Sequence, residues 1–237
     1  MSQIKFYRIG DEMEKILELK DVDFTYDGYK YVLKNINLTF EKEKIYGIFG
    51  KSGAGKTTLL SLMAGLEVTT NGEVLYKGKD LKKINRDIYR SNEIGVIFQN
   101  YNLLPHLTAL ENVILSMDIS NIKVKDKKKK AYQLLKKVGI DEVKANRRIL
   151  HLSGGEQQRV SIARALSYDS EIILADEPTG NLDSKTTSEV IGVLKSSSHK
   201  YNQTIIMVTH NEVLAQACDR ILRIEDGILR KVGEQDV

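Results

Sequence analysis

Four short, nearly continuous apolar runs, at residues 45–49, 94–98, 172–175 and 204–208, constrain the fold of this 237-residue chain more than any other feature. A strand with one wet face alternates apolar and polar residues, so an unbroken apolar run implies burial on both faces, as in a parallel sheet. Helical patterns separate the runs, which makes the core α/β. The segments ahead of the first run differ. Ile36, Leu38 and Phe40 alternate with polar residues, as a half-buried antiparallel strand does. Leu17, Leu19, Val22 and Phe24 are strand-like but keep no single alternation around Asp21, and Val74 and Tyr76 follow an Asn71-Gly72 turn signal. Between the second and third runs lie about 70 residues with no strong strand signal. The expected architecture is a mostly parallel sheet with an amino-terminal antiparallel β-subdomain and a helical lobe inserted at about residues 100–165. Residues 16–230 form one domain on this reading, with an extension at 1–15 and a tail at 231–237.

The first apolar run leads into Gly50-Lys51-Ser52-Gly53-Ala54-Gly55-Lys56-Thr57-Thr58, which matches G-x-x-x-x-G-K-[ST]. A helical run, Leu59-Leu60-Ser61-Leu62-Met63, follows, so the motif has the strand-to-helix context it requires. Glycines let successive amides turn toward one anion, and the helix start adds partial positive charge. Lys56 is expected on the β- and γ-phosphates of a nucleotide, and the Thr57 hydroxyl on Mg²⁺. A second half of a phosphoryl site lies downstream. The third run ends in Asp176-Glu177-Pro178, and an Asp at the carboxyl end of a buried strand is placed to hold the metal. Glu177 is expected to act as general base on a water. His210 follows the fourth run and is expected to contact the γ-phosphate or position that water. Gln99 follows the second run and is expected to sense Mg²⁺ or water.

The formal charge of +4 narrows the partners. Eight lysines lie between Lys123 and Lys137 with Asp126 as the one acid among them, so the rest of the chain is slightly acidic. A broad basic surface for nucleic acid is therefore not expected. Ala131, Leu134, Leu135 and Val138 repeat at helical spacing, so Lys127 to Lys130 open a helix. Cations there oppose the helix dipole. A solvated surface and contact with an anionic membrane both fit the cluster. Cys218 is the single cysteine, as expected in a reducing compartment, and no stretch approaches the length of a membrane span.

Residues 152–158, Leu-Ser-Gly-Gly-Glu-Gln-Gln, are the most specific stretch. Ser153 and Glu156 have the spacing of a capping box, so a helix starts there. Gly154 and Gly155 leave that start bare enough for a phosphate to approach. Since the chain already has a phosphate loop, Ser153, Gly154 and Gly155 are expected to serve nucleotide held by another copy.

At this point the sequence resembles the ATP-binding cassette (ABC) ATPases, over roughly residues 16–230. The phosphate loop, Gln99, residues 152–158, Asp176-Glu177, Asn181-Leu182-Asp183 and His210 occur in the family's order. The resemblance implies a P-loop NTPase fold, ATP and Mg²⁺ as ligands, and hydrolysis in a homodimer with nucleotide at the interface. It places Tyr26 on adenine, with Tyr29 and Tyr31 as competitors, and Asp183 in a loop that communicates across the dimer. Residues 102–113 and 176–183 look like the MacB, LolD and FtsE group, and bacitracin-resistance ATPases are similar there. The implied role is a cytoplasmic motor, peripheral on the membrane, driving a separate permease with a large extracytoplasmic domain. A groove near residues 99–113 would receive a permease helix; Leu103, Leu104 and Leu107 serve either that groove or the core. The chain is expected to lack a carboxyl-terminal regulatory domain after its last hairpin at Asp226-Gly227. Conformational signalling to a cell-wall hydrolase or sensor remains the alternative to transport. A DNA-repair ATPase is disfavoured: the interval from phosphate loop to residue 152 is about 95 residues, without cysteine or sustained heptads.

Overall fold

The computed structural model describes residues 14–180, 182–211, 214 and 217–231. Asn181, the first thirteen residues and the tail from 232 lie outside them.

Strand β1 (Lys15–Thr25) pairs antiparallel with β2 (Tyr31–Glu41). The four apolar runs form the next strands of the core: β3 (Ile45–Phe49) and, after two strands of the smaller sheet, β6 (Ile94–Ile97), β7 (Ile172–Asp176) and β8 (Thr204–Thr209). The smaller sheet is completed by β4 (Asn71–Tyr76) and β5 (Lys79–Asp80), in the order β2-β1-β4-β5. The larger sheet adds β9 (Arg220–Glu225) and β10 (Ile228–Lys231), in the order β10-β9-β3-β8-β7-β6. All its neighbours are parallel except the β9–β10 hairpin. That hairpin turns at Asp226 and Gly227, both at positive φ.

Each apolar run is continuous because its two faces feed two different cores. Ile172, Leu174, Ile206 and Val208 pack with β1, β2 and α1 (Lys56–Met63). Ile173, Ala175, Ile205 and Met207 point the other way. They meet α3 (Ala109–Ile119), α4 (Lys127–Lys137), α6 (Gly154–Ala165) and α7 (Ser184–Tyr201). Two short helices, α2 (Arg86–Ile88) and α5 (Glu142–Ala145), complete the set. Helices α3 to α6 fill the stretch between β6 and β7, and residues 99–107 ahead of α3 are not helical.

The irregular alternation in β1 is a bulge. Register shifts flank Asp21, whose φ is +49°. Asn71-Gly72 signals a turn, but the strand already begins at Asn71 and contains Gly72. A Cβ at Gly72 would stand 2.3 Å from the carbonyl oxygens of Lys20 and Asp21, and its φ is +76°. The glycine is there to let the bulge close against β4.

The lysine cluster opens α4 as expected, and the chain offsets its dipole penalty locally. Asp126 caps the helix, accepting a bond from the Lys129 amide at 2.8 Å. Lys127 pairs with Asp118 at 2.6 Å and Lys130 with Asp169 at 3.5 Å. Ala131, Leu135 and Val138 are buried beneath them, so the helix is held by its apolar face.

Helix α6 begins with a closed capping box. The Ser153 hydroxyl accepts from the Glu156 amide, and Glu156 accepts from the Ser153 amide at 2.8 Å. Lys144 of α5 reaches Glu156 at 3.1 Å. The Ser153 amide, with help from Lys144, holds the Glu156 carboxyl below its usual range, against a smaller opposing effect of burial.

Two stability predictions follow from these local devices. Gly72→Ala should lose about 2 kcal/mol or more in urea unfolding, because it adds both a left-handed backbone penalty and a clash with backbone. Glu156→Gln keeps the box but removes the charge. A carboxyl whose folded pKa is depressed stabilises above its unfolded pKa and loses that contribution as pH falls through the folded value. The parent should therefore exceed the variant in stability at pH 7, by less than about 1 kcal/mol, and the gap should close below about pH 4.

Candidate nucleotide site

β3 delivers the chain to Gly50, and residues 50–55 turn it into α1. Gly55 caps that helix at φ +98° with no side-chain cap, so the first-turn amides stay free for an anion. A side chain at Gly55 would meet the Leu33 methyl at 2.9 Å and the Val32 carbonyl at 3.0 Å. Lys56 lies over the loop: its Nζ donates to the carbonyls of Gly50 at 2.7 Å and Lys51 at 3.0 Å. Lys51, Ser52 and Gly53 are exposed along the rim, while Ala54 is tucked against the core. Thr57 is exposed and Thr58 buried, so the two hydroxyls serve different neighbours.

The Thr57 side chain stands beside the Asp176 carboxylate at the end of β7 and favours its ionised form. Burial pushes that carboxyl above its usual range, Thr57 and Lys56 oppose the rise, and neighbouring Glu177 adds to it. A hydroxyl beside a buried carboxylate is a hard oxygen pair of the kind Mg²⁺ takes when phosphate and water supply the other ligands. Among the described residues no cluster of three or more His, Cys, Asp or Glu could hold a metal ion. Gln99 stands in the turn after β6, the strand beside β7, and is exposed at the same sheet edge.

Glu177 sits one residue further on, at φ +48°. Its amide donates to the Val208 carbonyl at 2.9 Å, which ties it to the end of β8. His210 Nδ1 lies 2.8 Å from its Oε1. Glu177 is 8% exposed whereas the His210 side chain is 73% exposed, so the histidine faces outward from a buried carboxylate. Sequence reasoning named both residues; their direct contact appears only in three dimensions. It did not name Thr209, whose hydroxyl donates to the other oxygen of Glu177 at 3.0 Å. The available signal was that Thr209 is a polar residue closing an apolar strand.

Among the three candidate tyrosines, Tyr26 is the one joined to the loop. Its hydroxyl and that of Thr58 are 3.1 Å apart, and its ring stands edge-on to Phe24 at 4.7 Å. Tyr29, at 92% exposed, projects away. The remaining candidates lie apart from this cluster in sequence and in their partners. Ser153 and Gly154 are exposed at the start of α6, with Gly155 half-buried behind them. Asp183 caps α7, accepting from the Thr186 amide at 3.0 Å and hydroxyl at 2.8 Å. Those bonds lower its carboxyl below the usual range.

Comparison with known proteins agrees with this geometry. Residues 33–180 match the ABC transporter family. YclH of Bacillus subtilis, an uncharacterized ABC transporter ATP-binding protein, is 44% identical over 213 residues, covering 90% of this chain and 94% of YclH. The lipoprotein-releasing system ATP-binding protein LolD of Geobacter metallireducens is 41% identical, over 91% of this chain and 98% of LolD. The macrolide export ATP-binding/permease protein MacB of Pasteurella multocida is 40% identical over 90% of this chain, which spans 34% of MacB. The dimeric ABC transporter cassette MJ0796 superposes with a TM-score of 0.87 at 37% identity, over 92% of this chain and 99% of that one. The same cassette is also known as a dimer after hydrolysis, bound to ADP and phosphate. With the phosphate loop, the strand-end carboxylates and this agreement along nine-tenths of its length, the chain belongs to the ABC transporter ATP-binding family and is an ABC-type ATPase.

Proposed function

We propose that this ATPase works as a homodimer and powers a separate integral membrane permease of the MacB, LolD and FtsE type. The observation that carries the reading is the buried Glu177 carboxylate, oriented by His210 beside Asp176 and the phosphate loop. In each site the loop amides and Lys56 bind the ATP phosphates, and Tyr26 stacks on adenine. Mg²⁺, held by Thr57 and Asp176 with Gln99 at the same edge, neutralises phosphate charge when bound. Glu177 accepts the proton of the attacking water, and His210 faces the γ-phosphate. Ser153, Gly154 and Gly155 of the second copy close the site, with Asp183 near the seam. ATP then joins the subunits, and hydrolysis with phosphate loss lets them part.

The permease contact is proposed at residues 99–113. There the Asn112 side chain fixes the loop, accepting from the Leu104 amide at 2.8 Å and donating to the carbonyls of Leu104 and Thr108. Leu103 packs partly against the core, Leu107 is half-buried, and the 40% exposure of Leu104 supports its place in that contact. Among the described residues no helix is long and apolar enough to cross a membrane. Peripheral association on the cytoplasmic face, through a permease with a large extracytoplasmic domain, is the proposed setting. Export or extrusion of peptide, antibiotic or lipid-type cargo fits the relatives' names, and mechanical signalling to an extracellular enzyme uses the same motor.

Glu177→Gln should bind ATP with affinity close to the parent's, hydrolyse it at least about 100-fold more slowly, and run as a dimer in size exclusion with ATP. Hydrolysis by that variant at the parental rate would refute the general-base role. Chelation of Mg²⁺ should abolish phosphate release by the parent, and added Mg²⁺ should restore it.

A further inference from the structure

We infer that Thr209 is a positioning residue for hydrolysis, acting through Glu177. The inference rests on the proposed general-base role of Glu177.

Thr209 ends β8 and is fully buried. Its Oγ1 lies 3.0 Å from Glu177 Oε2 and 3.0 Å from the Asn211 amide nitrogen. A hydroxyl has one proton to give, and a backbone N–H can only donate. The Asn211 amide therefore fills a lone pair on Oγ1, and the hydroxyl proton is committed to Glu177. One oxygen of the carboxylate is thereby fixed from inside the fold. The other faces His210, which is mostly exposed and able to turn toward a nucleotide.

This division of labour matters because Glu177 sits at φ +48°, on a backbone that a non-glycine residue holds only when its surroundings enforce it. Three bonds enforce it from one strand end: the amide to Val208, Oε2 to Thr209 and Oε1 to His210. When His210 turns to phosphate, the first two remain. Thr209 then keeps Oε1 aimed at the water position instead of letting the carboxylate rotate about its terminal torsion, which is broad for Glu. Side-chain position at this tolerance governs rate more than binding.

The test uses the full chain with Mg-ATP. Thr209→Val keeps the shape and removes the hydroxyl; Thr209→Ser keeps the hydroxyl. Thr209→Val should lower kcat about 10- to 100-fold with KM within about twofold of the parent. Thr209→Ser should recover most of the loss. Binding of a fluorescent ATP analogue, measured on each variant, establishes that the site is folded. The decisive reading is the double variant with Glu177→Gln in single-turnover hydrolysis: Thr209→Val should add nothing there. If it costs the same factor in both backgrounds, or if Thr209→Ser is as slow as Thr209→Val, the inference is overturned while the Glu177 role stands. If Glu177→Gln hydrolyses as fast as the parent, the general-base reading fails and this inference with it.

Discussion

One fixed register in the parallel pairing of β3, β8 and β7 assembles the nucleotide edge. Phe49 stands opposite Thr209, and Val208 opposite Asp176. The phosphate loop, the two carboxylates and His210 all leave their strands within a residue or two of that line. Parallel strands buried on both faces resist slippage, since a shift of one residue would exchange the two core faces at every position. Ile206 and Val208 belong to one core and Ile205 and Met207 to the other, so such a shift would misplace all four. The chemistry at the edge is thus positioned by the two-sided packing of the strands that carry it.

The smaller sheet is fastened to this core along β3 and its neighbours. Within the larger sheet, the Ile45 amide of β3 donates to Asp219 Oδ2 just ahead of β9, and the Asp219 amide returns a bond to the Ile45 carbonyl, both at 2.8 Å. The Tyr46 hydroxyl accepts from the Glu41 amide at 2.8 Å, the Glu43 amide donates to Thr204, and the Lys34 amide donates to Gly227 in the last hairpin. The result bears on function because β1 carries Phe24, whose ring supports Tyr26 beside α1. Those bonds, with the Tyr26–Thr58 contact and the apolar core that β1 and β2 share with α1, hold the tyrosine proposed for adenine in a fixed relation to the loop proposed for phosphate.

The central sheet was legible because burial on both faces writes itself into composition, as in the all-apolar Ile172-Ile173-Leu174-Ala175. The capping box at Ser153 and Glu156 was legible because it is a local pattern with a local partner. What escaped the sequence depends on distant partners. Gly72 looked like a turn because its reason, the Asp21 bulge, is about 50 residues away in the chain. Thr209 carried no signal beyond its place at the end of an apolar run, because its partner Glu177 comes from another strand. The lysines of α4 read as a charge anomaly; Asp118 and Asp169, which answer two of them, lie outside the run.

Two helix starts in the chain are built in opposite ways, and the contrast suits the proposed composite sites. Helix α1 begins at Gly55 with no side-chain cap, leaving several amides to be satisfied by an anion, with Lys56 beside them. Helix α6 begins inside a closed box in which Glu156 and Ser153 satisfy each other's amides. An uncapped start binds phosphate strongly because its donors otherwise lack protein partners. A capped one offers fewer donors, among them the Ser153 hydroxyl proton and the amides of the two glycines. On the proposed reading, nucleotide is held by its own chain through α1 and touched by the second copy through α6. The unequal strength lets the two copies separate while each keeps its product, which a motor that must cycle between joined and parted states requires.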